Sequence, residues 1–228
     1  MDLALFDLDE TLICEDSSGL WLRWLVSQGF APAEILEKER AMMTDYYAGN
    51  LAMDAYMALT LAPLAGMSVA TVDGWIRRFI QRDILSRIYP AARERLNWHL
   101  SRGDNILVIS ASGEHLVAPI AHRLGAHGAL AIGVETAEQR YTGNIYGTLT
   151  YKEGKVIRLQ QWLSQQAPER PFQHLWAYSD SINDLPLLEH ADYPVVVNPN
   201  PQLSKLAQDR GWQISLWGRY AKTQAVAG

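Results

Sequence analysis

Asp7 and Asp9 stand two residues apart in Phe6-Asp7-Leu8-Asp9-Glu10-Thr11-Leu12, directly after a short apolar run. In open α/β sheets the crevice beyond the carboxyl ends of the strands is where ligands bind, and Asp7 falls at such an end. A carboxylate there can hold a metal, act as a nucleophile, or do both. A second one two residues later can serve as general acid and then base. The stretch Tyr178-Ser179-Asp180-Ser181-Ile182-Asn183-Asp184 repeats the arrangement and puts Asp180 at another strand end. Ser181 and Asp184 also read as a helix capping box, which leaves Asp180 unexplained. Carboxylates about 4 Å apart repel by roughly 4 kcal/mol at an effective dielectric of 20. A grouping of Asp7, Asp9, Asp180 and Asp184 therefore has to take up a proton or a cation. Oxygen donors without a neighbouring Cys/His set favour Mg²⁺ over Zn²⁺.

Two further segments offer positive or neutral partners. In Ile106-Leu107-Val108-Ile109-Ser110-Ala111-Ser112-Gly113, Ser110 ends a strand and Ser112-Gly113 opens a helix. A hydroxyl beside free amides at a helix N-terminus makes an anion site, and the same residues serve equally as a simple N-cap. In Tyr151-Lys152-Glu153-Gly154-Lys155, a lysine at a helix start opposes the helix dipole. Direction toward a phosphate or toward Asp7 offsets that cost; a solvated lysine is the plainer reading. Asp16, before Ser17-Ser18, reads as a helix N-cap. His115, His122 and His127 have no zinc-like spacing and are expected to be structural or surface residues. Arginines between 77 and 102 form a basic stretch, expected to be a solvated helical face, with some able to steer phosphates.

These groups need a frame. Apolar runs at 2–7, 105–110, 129–135, 174–179 and 193–197 read as buried strands, with helical patterns at 91–102, 113–124, 153–166, 182–189 and 201–210 between most of them. That alternation predicts an α/β fold with a mostly parallel sheet. Residues 139–151, with Gly-Asn and aromatic/Thr content, predict a small hairpin. Between 17 and 87 there is no convincing strand, only helical segments at about 17–28, 32–48, 52–62 and 68–86. The expected organisation is a core of 1–16 and 88–228 with a helical insertion of 17–87. The eight tryptophans are expected to fill the core, with Trp21, Trp24 or Tyr46 the candidates for the insertion's substrate-facing side.

Composition bounds the rest. The 228 residues carry a net charge of −5 and are 48% hydrophobic, which excludes a disordered chain and a general nucleic-acid binder. The charge is local: six acids and no Lys or Arg lie within residues 1–16, and the remainder is +1. No apolar run reaches the roughly 18 residues of a membrane span, and no secretory signal is visible. A single cysteine, Cys14, expected to be half-buried, fits a reducing, cytoplasmic setting.

Taken in order, the Asp-Leu-Asp-Glu-Thr motif, Ser110, the Glu-Gly-Lys segment and Ser-Asp-Ser-Ile-Asn-Asp resemble the haloacid dehalogenase superfamily of phosphohydrolases. The nearest subgroup is the phosphoserine-phosphatase-like one, which also includes histidinol-phosphatase-like members. The resemblance implies a Rossmann-like three-layer α/β/α core with an all-helical C1-type cap. It makes Asp7 the nucleophile and Asp9 the acid/base, with Ser110, Ala111 and Lys155 meeting the phosphoryl group and Lys152 the alternative lysine. It assigns Mg²⁺ to Asp7, the Asp9 carbonyl and Asp180, with Asp184 supporting, and lets Asp16 contact substrate. The expected partner is a small phosphorylated metabolite. Asp9 favours a phosphatase over a dehalogenase, because an alkoxide leaving group needs a proton and a halide does not. A phosphotransferase or mutase, and a non-hydrolytic aspartyl-phosphate switch, are the alternatives. Glu10, where the family often has a small residue, and Ser179 and Ser181, in place of frequent glycines, depart from its pattern.

Overall fold

A computed structural model of the chain describes residues 1–166 and 171–218. Residues 167–170 and 219–228 of the expected core lie outside the described residues. Seven strands, β1 (Leu3–Phe6), β2 (Asn105–Gly113), β3 (Gly128–Ala137), β4 (Arg140–Tyr146), β5 (Leu175–Ser179), β6 (Tyr193–Val197) and β7 (Gln213–Ser215), form one sheet. Its order is β4-β3-β2-β1-β5-β6-β7, parallel throughout except for β4. β1 sits at the centre because all four of its residues are apolar and inaccessible, as a strand covered on both faces must be.

Alternation along the central strands separates two cores. Ala4, Phe6, Ile106 and Val108 face one side; Leu3, Leu5, Leu107 and Ile109 face the other. The first side packs on α5 (Pro90–Ser101), α6 (Glu114–Arg123) and the helices inserted between β1 and β2. The second packs on α7 (Glu153–Gln165), α8 (Leu185–His190) and α9 (Pro201–Asp209). Three layers result.

The stretch after β1 holds α1 (Ser17–Ser27), α2 (Glu34–Tyr47), α3 (Met53–Leu61) and α4 (Val69–Phe79), followed by a π-type turn at Ile80–Ile84. Asp16 caps α1 and Ser68 caps α4 through their side-chain oxygens. Pro63 and Gly66 interrupt the chain between α3 and α4, as expected from their fixed and permissive backbones. No helix among the described residues is long and apolar enough to cross a membrane.

One expectation about the sheet needs correction. Residues 139–151 are not a hairpin of their own; they supply only β4, whose antiparallel partner is β3. The turn is Glu138-Gln139, both at positive φ, so the Gly-Asn pair that suggested a turn lies inside the strand. The short β7, polar at two of its three residues, carries no apolar run for sequence reasoning to find.

Candidate active site

Asp7 leaves the end of β1 with its amide bonded to the Tyr178 carbonyl of β5 (2.9 Å), so the central pair of strands aims the side chain. Its Oδ1 accepts from Lys155 Nζ at 2.8 Å, and the same nitrogen donates to Asp184 Oδ2 at 2.6 Å. Ser179 Oγ donates to that Asp184 oxygen as well (2.7 Å). Lys155 lies in the first turn of α7, 148 residues from Asp7, and reaches it because Gly154 lets the helix start against the preceding loop. A Cβ on Gly154 would stand 1.8 Å from the Leu149 carbonyl oxygen. Lys152 points elsewhere and donates to the Gly49 carbonyl (2.6 Å).

Asp9 is held on the opposite side. Its Oδ1 accepts from the Ser17 amide (2.7 Å), and its Oδ2 from Ser112 Oγ (2.8 Å) and Ser110 Oγ (3.2 Å). Ser110 is anchored in turn by Thr150 Oγ1, which donates to its carbonyl (2.7 Å). Asp180 is locked reciprocally to Thr11: Thr11 Oγ1 donates to Asp180 Oδ1 (2.9 Å) and accepts from the Asp180 amide (3.1 Å). Ser112 does not cap a helix. β2 runs on to Gly113 and α6 begins at Glu114, which frees the Ser112 hydroxyl for Asp9. Ser181 does cap, accepting from the Asn183 amide, while Asp184 turns inward to Lys155 rather than completing a capping box. Neither Thr11 nor Thr150 is marked by residue type; the position of each in the chain after a strand is the only signal.

The cluster is short of positive charge. Burial, reinforced by Asp184 and Asp9 and opposed by Lys155, pushes the Asp7 carboxyl up to about 7. Burial together with Asp7 and Glu10 holds Asp180 well above the usual carboxylate range. Burial alone would lower Lys155, but Asp184 and Asp7 outweigh it and raise its pKa. One ammonium thus serves two buried carboxylates, Asp7 and Asp184. Among the described residues no three His, Cys, Asp or Glu side chains converge closely enough to cage a metal by themselves. Both oxygens of Asp9 accept hydroxyl or amide donors and Asp184 accepts an ammonium and a hydroxyl, whereas Asp7 and Asp180, which line the cleft, are each bonded at Oδ1. An all-oxygen, charge-deficient pair of this kind suits a hard divalent cation.

Asp7, Asp9 and Asp180 line a cleft of about 210 Å³, with Tyr46, Tyr56, Met43, Met53 and Asp16 supplying its helical wall. Asp16 is the N-cap of α1, one of the two roles open to it. Its oxygens cap α1 through the Ser18 (3.1 Å) and Gly19 (2.7 Å) amides, and it faces the cleft. Ala111 and Ser112 also line the cleft. Trp21 and Trp24 do not. Stacked on each other at 5.1 Å, they fill the interior of the helical insertion. Cys14 is exposed rather than half-buried. The arginines of 77–102 stay out of the cleft; Arg87 pairs with Glu15, and Arg102 with Asp2 and Asp104.

A buried carboxylate at the end of the central strand, a lysine bonded to it and a helical insertion after it are the frame that the sequence resemblance implies. The chain belongs to the haloacid dehalogenase-like hydrolase family, whose pattern it matches over residues 4–189. It is 38% identical over 216 residues to a histidinol-phosphatase of Neisseria meningitidis, covering 93% of this chain and 97% of that one. A phosphoserine phosphatase of Mycobacterium tuberculosis is 30% identical over 224 residues, 92% of this chain and 69% of that protein. Among solved structures, a Bordetella pertussis protein of unknown function superposes with a TM-score of 0.86 at 36% identity, covering 93% and 97% of the two chains. A phosphoserine phosphatase carrying a phospho-aspartyl intermediate analogue shares the fold, with a TM-score of 0.68 at 19% identity over 97% and 96%.

Proposed function

We propose that the protein is a divalent-cation-dependent phosphomonoesterase that works through an aspartyl-phosphate on Asp7 and acts on a small phosphorylated metabolite. Histidinol phosphate and phosphoserine, named by its relatives, are the first candidates. The observation that carries the reading is the Lys155 bridge between Asp7 Oδ1 and Asp184 Oδ2, which aims one buried carboxylate into the cleft and keeps a cation beside it.

In this mechanism Asp7 attacks phosphorus while Asp9 gives a proton to the departing alkoxide. Asp9 then takes a proton from the water that opens the acyl-phosphate. The donors on both Asp9 oxygens hold its carboxylate in one orientation for both transfers. Ser110, the Ala111 segment and Lys155 receive the phosphoryl oxygens, so that charge developing in transfer meets fixed donors. Asp7, Asp180 and the Asp9 carbonyl would hold the cation, with Asp184 acting on it through Lys155. When bound, Mg²⁺ would neutralise charge on the phosphoryl group and lessen the repulsion between its carboxylates. Residues 17–87 serve as a cap over a core of 1–16 and 88–228, closing the cleft against water. Hydrolysis of p-nitrophenyl phosphate, with Mg²⁺ and again in EDTA, tests the reading. Turnover that EDTA leaves unchanged, or that survives Asp7→Asn, rules it out.

A further inference from the structure

Two residues set apart in the sequence take no part in the phosphoryl chemistry: Lys152, the alternative lysine, and Glu10, where the family often has a small residue. Both stand at positive φ, 51° and 58°. Lys152 has ψ −125° as well, and the Gly154 amide donates to the Tyr151 carbonyl (2.9 Å) across it. That is the first central position of a type II′ turn, where glycine is the usual occupant. A lysine kept there needs a reason, since a side chain in this region strains the backbone.

The side chain supplies one. Lys152 Nζ donates to the Gly49 carbonyl (2.6 Å), just past the C-terminus of α2. An ammonium there faces the negative end of the helix dipole. Two more core residues reach the same end of α2. Asn183 Nδ2 donates to the Tyr46 carbonyl (3.2 Å), and Glu10 Oε2 accepts from the Tyr47 hydroxyl (3.3 Å). α2 is thinly held otherwise: of its fourteen residues only Ile35 and Glu39 are buried, and both lie in its first half. Its second half is therefore fastened by polar bonds, which water replaces at small net cost.

The three core residues share a setting. Glu10 follows Asp9, Asn183 precedes Asp184, and Lys152 opens the turn that delivers Lys155. Glu10, Asn183, Tyr46 and Tyr47 line the cleft, whereas Lys152 and Gly49 are not among its lining residues. The end of α2 is thus tied to the loops bearing the reacting groups, and its one bond to an ammonium lies outside the cleft.

We propose that Lys152 is the clasp of the cleft: it fastens the end of α2 over the Asp7 and Asp180 side, with Glu10 and Asn183 as flanking contacts, and its release lets substrate in and phosphate out. Lys152 is a positioning residue, which holds the Tyr46 wall in place without touching substrate. The inference rests on the phosphatase reading and adds to it what keeps the insertion shut.

The experiment compares the full chain in Mg²⁺ with Lys152→Met, which removes the ammonium, and Lys152→Arg, which keeps the charge and donors. Hydrogen exchange reads the clasp directly. In Lys152→Met the amides of Ala48, Gly49 and Asn50, bonded to the Thr44, Tyr46 and Asp45 carbonyls, should exchange faster. The expected factor is about fivefold or more, the worth of one hydrogen bond from a charged donor, with β1 and β2 amides at parent rates. KM for p-nitrophenyl phosphate and the inhibition constant of inorganic phosphate should rise together several-fold, because a less populated closed state weakens both by one factor. Saturating substrate restores that state, so kcat should change little. Lys152→Arg should return all of these to near parent values. Should Lys152→Met fail to fold, Tyr47→Phe, at an exposed ring, removes the bond to Glu10 and should move the same readouts the same way by a smaller factor.

Parent-like exchange at 48–50 in the variant used, exchange quickened equally in β1 and β2, an unchanged KM, or no recovery in Lys152→Arg would each overturn the inference. So would a fall in kcat of about 10²-fold, which would make Lys152 a donor to the phosphoryl group. The exchange measurement judges the clasp even where p-nitrophenyl phosphate is not hydrolysed, so a failure of the phosphatase reading shows separately.

Discussion

Lys155 decides whether the carboxylates around it can coexist. At 2% exposure it contacts Asp7 and Asp184, and removing it strands both in a poorly solvated site. Lys155→Met should lower kcat roughly 10²–10³-fold, the usual effect of deleting one fixed donor from a charge-stabilising site. It should also destabilise the fold at neutral pH by about 3–5 kcal/mol, the cost of breaking a buried pair from one side. That second loss has a defined sign with pH. Without the lysine, folding raises the carboxyl pKa values further, so the variant regains stability as pH falls and the acids protonate. Urea unfolding at pH 7.5 and pH 5 checks this; a deficit constant across that range would show that the lysine matters only for packing. Asp9 separates the two chemical steps. Asp9→Asn should still form phosphoenzyme from p-nitrophenyl phosphate, whose leaving group needs no proton, and then stall. Rapid-quench detection of a stable phosphoryl adduct is the measurement, and parent-like steady-state turnover would remove Asp9 from its role.

The elements that hold these residues differ in how plainly the sequence announces them. β1, β2, β5 and β6 are apolar runs bounded by acids, serines or turns, and each is found within two residues of its expected start. An acid just past two of those runs was enough to bring out Asp7 and Asp180. Less visible are features that depend on what a distant segment does. Glu39 stands among charged neighbours in α2, and the fold buries it all the same. The β3–β4 turn uses Glu138 and Gln139 at positive φ, where residue type offers no cue. Gly154 belongs to the same class, since its need for a bare Cα comes from the Leu149 carbonyl across the loop. Gly154→Ala should therefore push the start of α7 away from that loop. The expected cost is about 1–3 kcal/mol, as for overpacking elsewhere, although Ala is intrinsically the better helix former. Activity should fall with it, because Lys155 is the next residue. Guanidinium unfolding and p-nitrophenyl phosphate turnover read the two effects, and a variant as stable as the parent would mean that the loop yields freely.

Across the whole molecule, pH acts in opposite directions on two sets of buried groups. Asp7, Asp16 and Asp180 have folded pKa values raised by burial and by neighbouring carboxylates, so their contribution to stability diminishes as pH rises. His115 does the reverse. Outside the active-site cleft, beside Tyr141 and Tyr146, both its ring nitrogens are inaccessible and have no hydrogen-bond partner among the described residues. Burial lowers the imidazole from 6.5 to about 4. The unfolded chain then binds a proton that the folded one refuses, so stability present above the unfolded value is lost as pH falls toward the folded one. By pH 5 the loss amounts to about 2 kcal/mol, from a shift of this size at 1.36 kcal/mol per unit. Comparing the parent with His115→Gln at each pH, in a fixed Mg²⁺ concentration, cancels the carboxylates and isolates the histidine. The parent's stability relative to the variant should fall by that amount between pH 8 and pH 5. A difference independent of pH would mean that water reaches the ring in solution and the imidazole titrates normally.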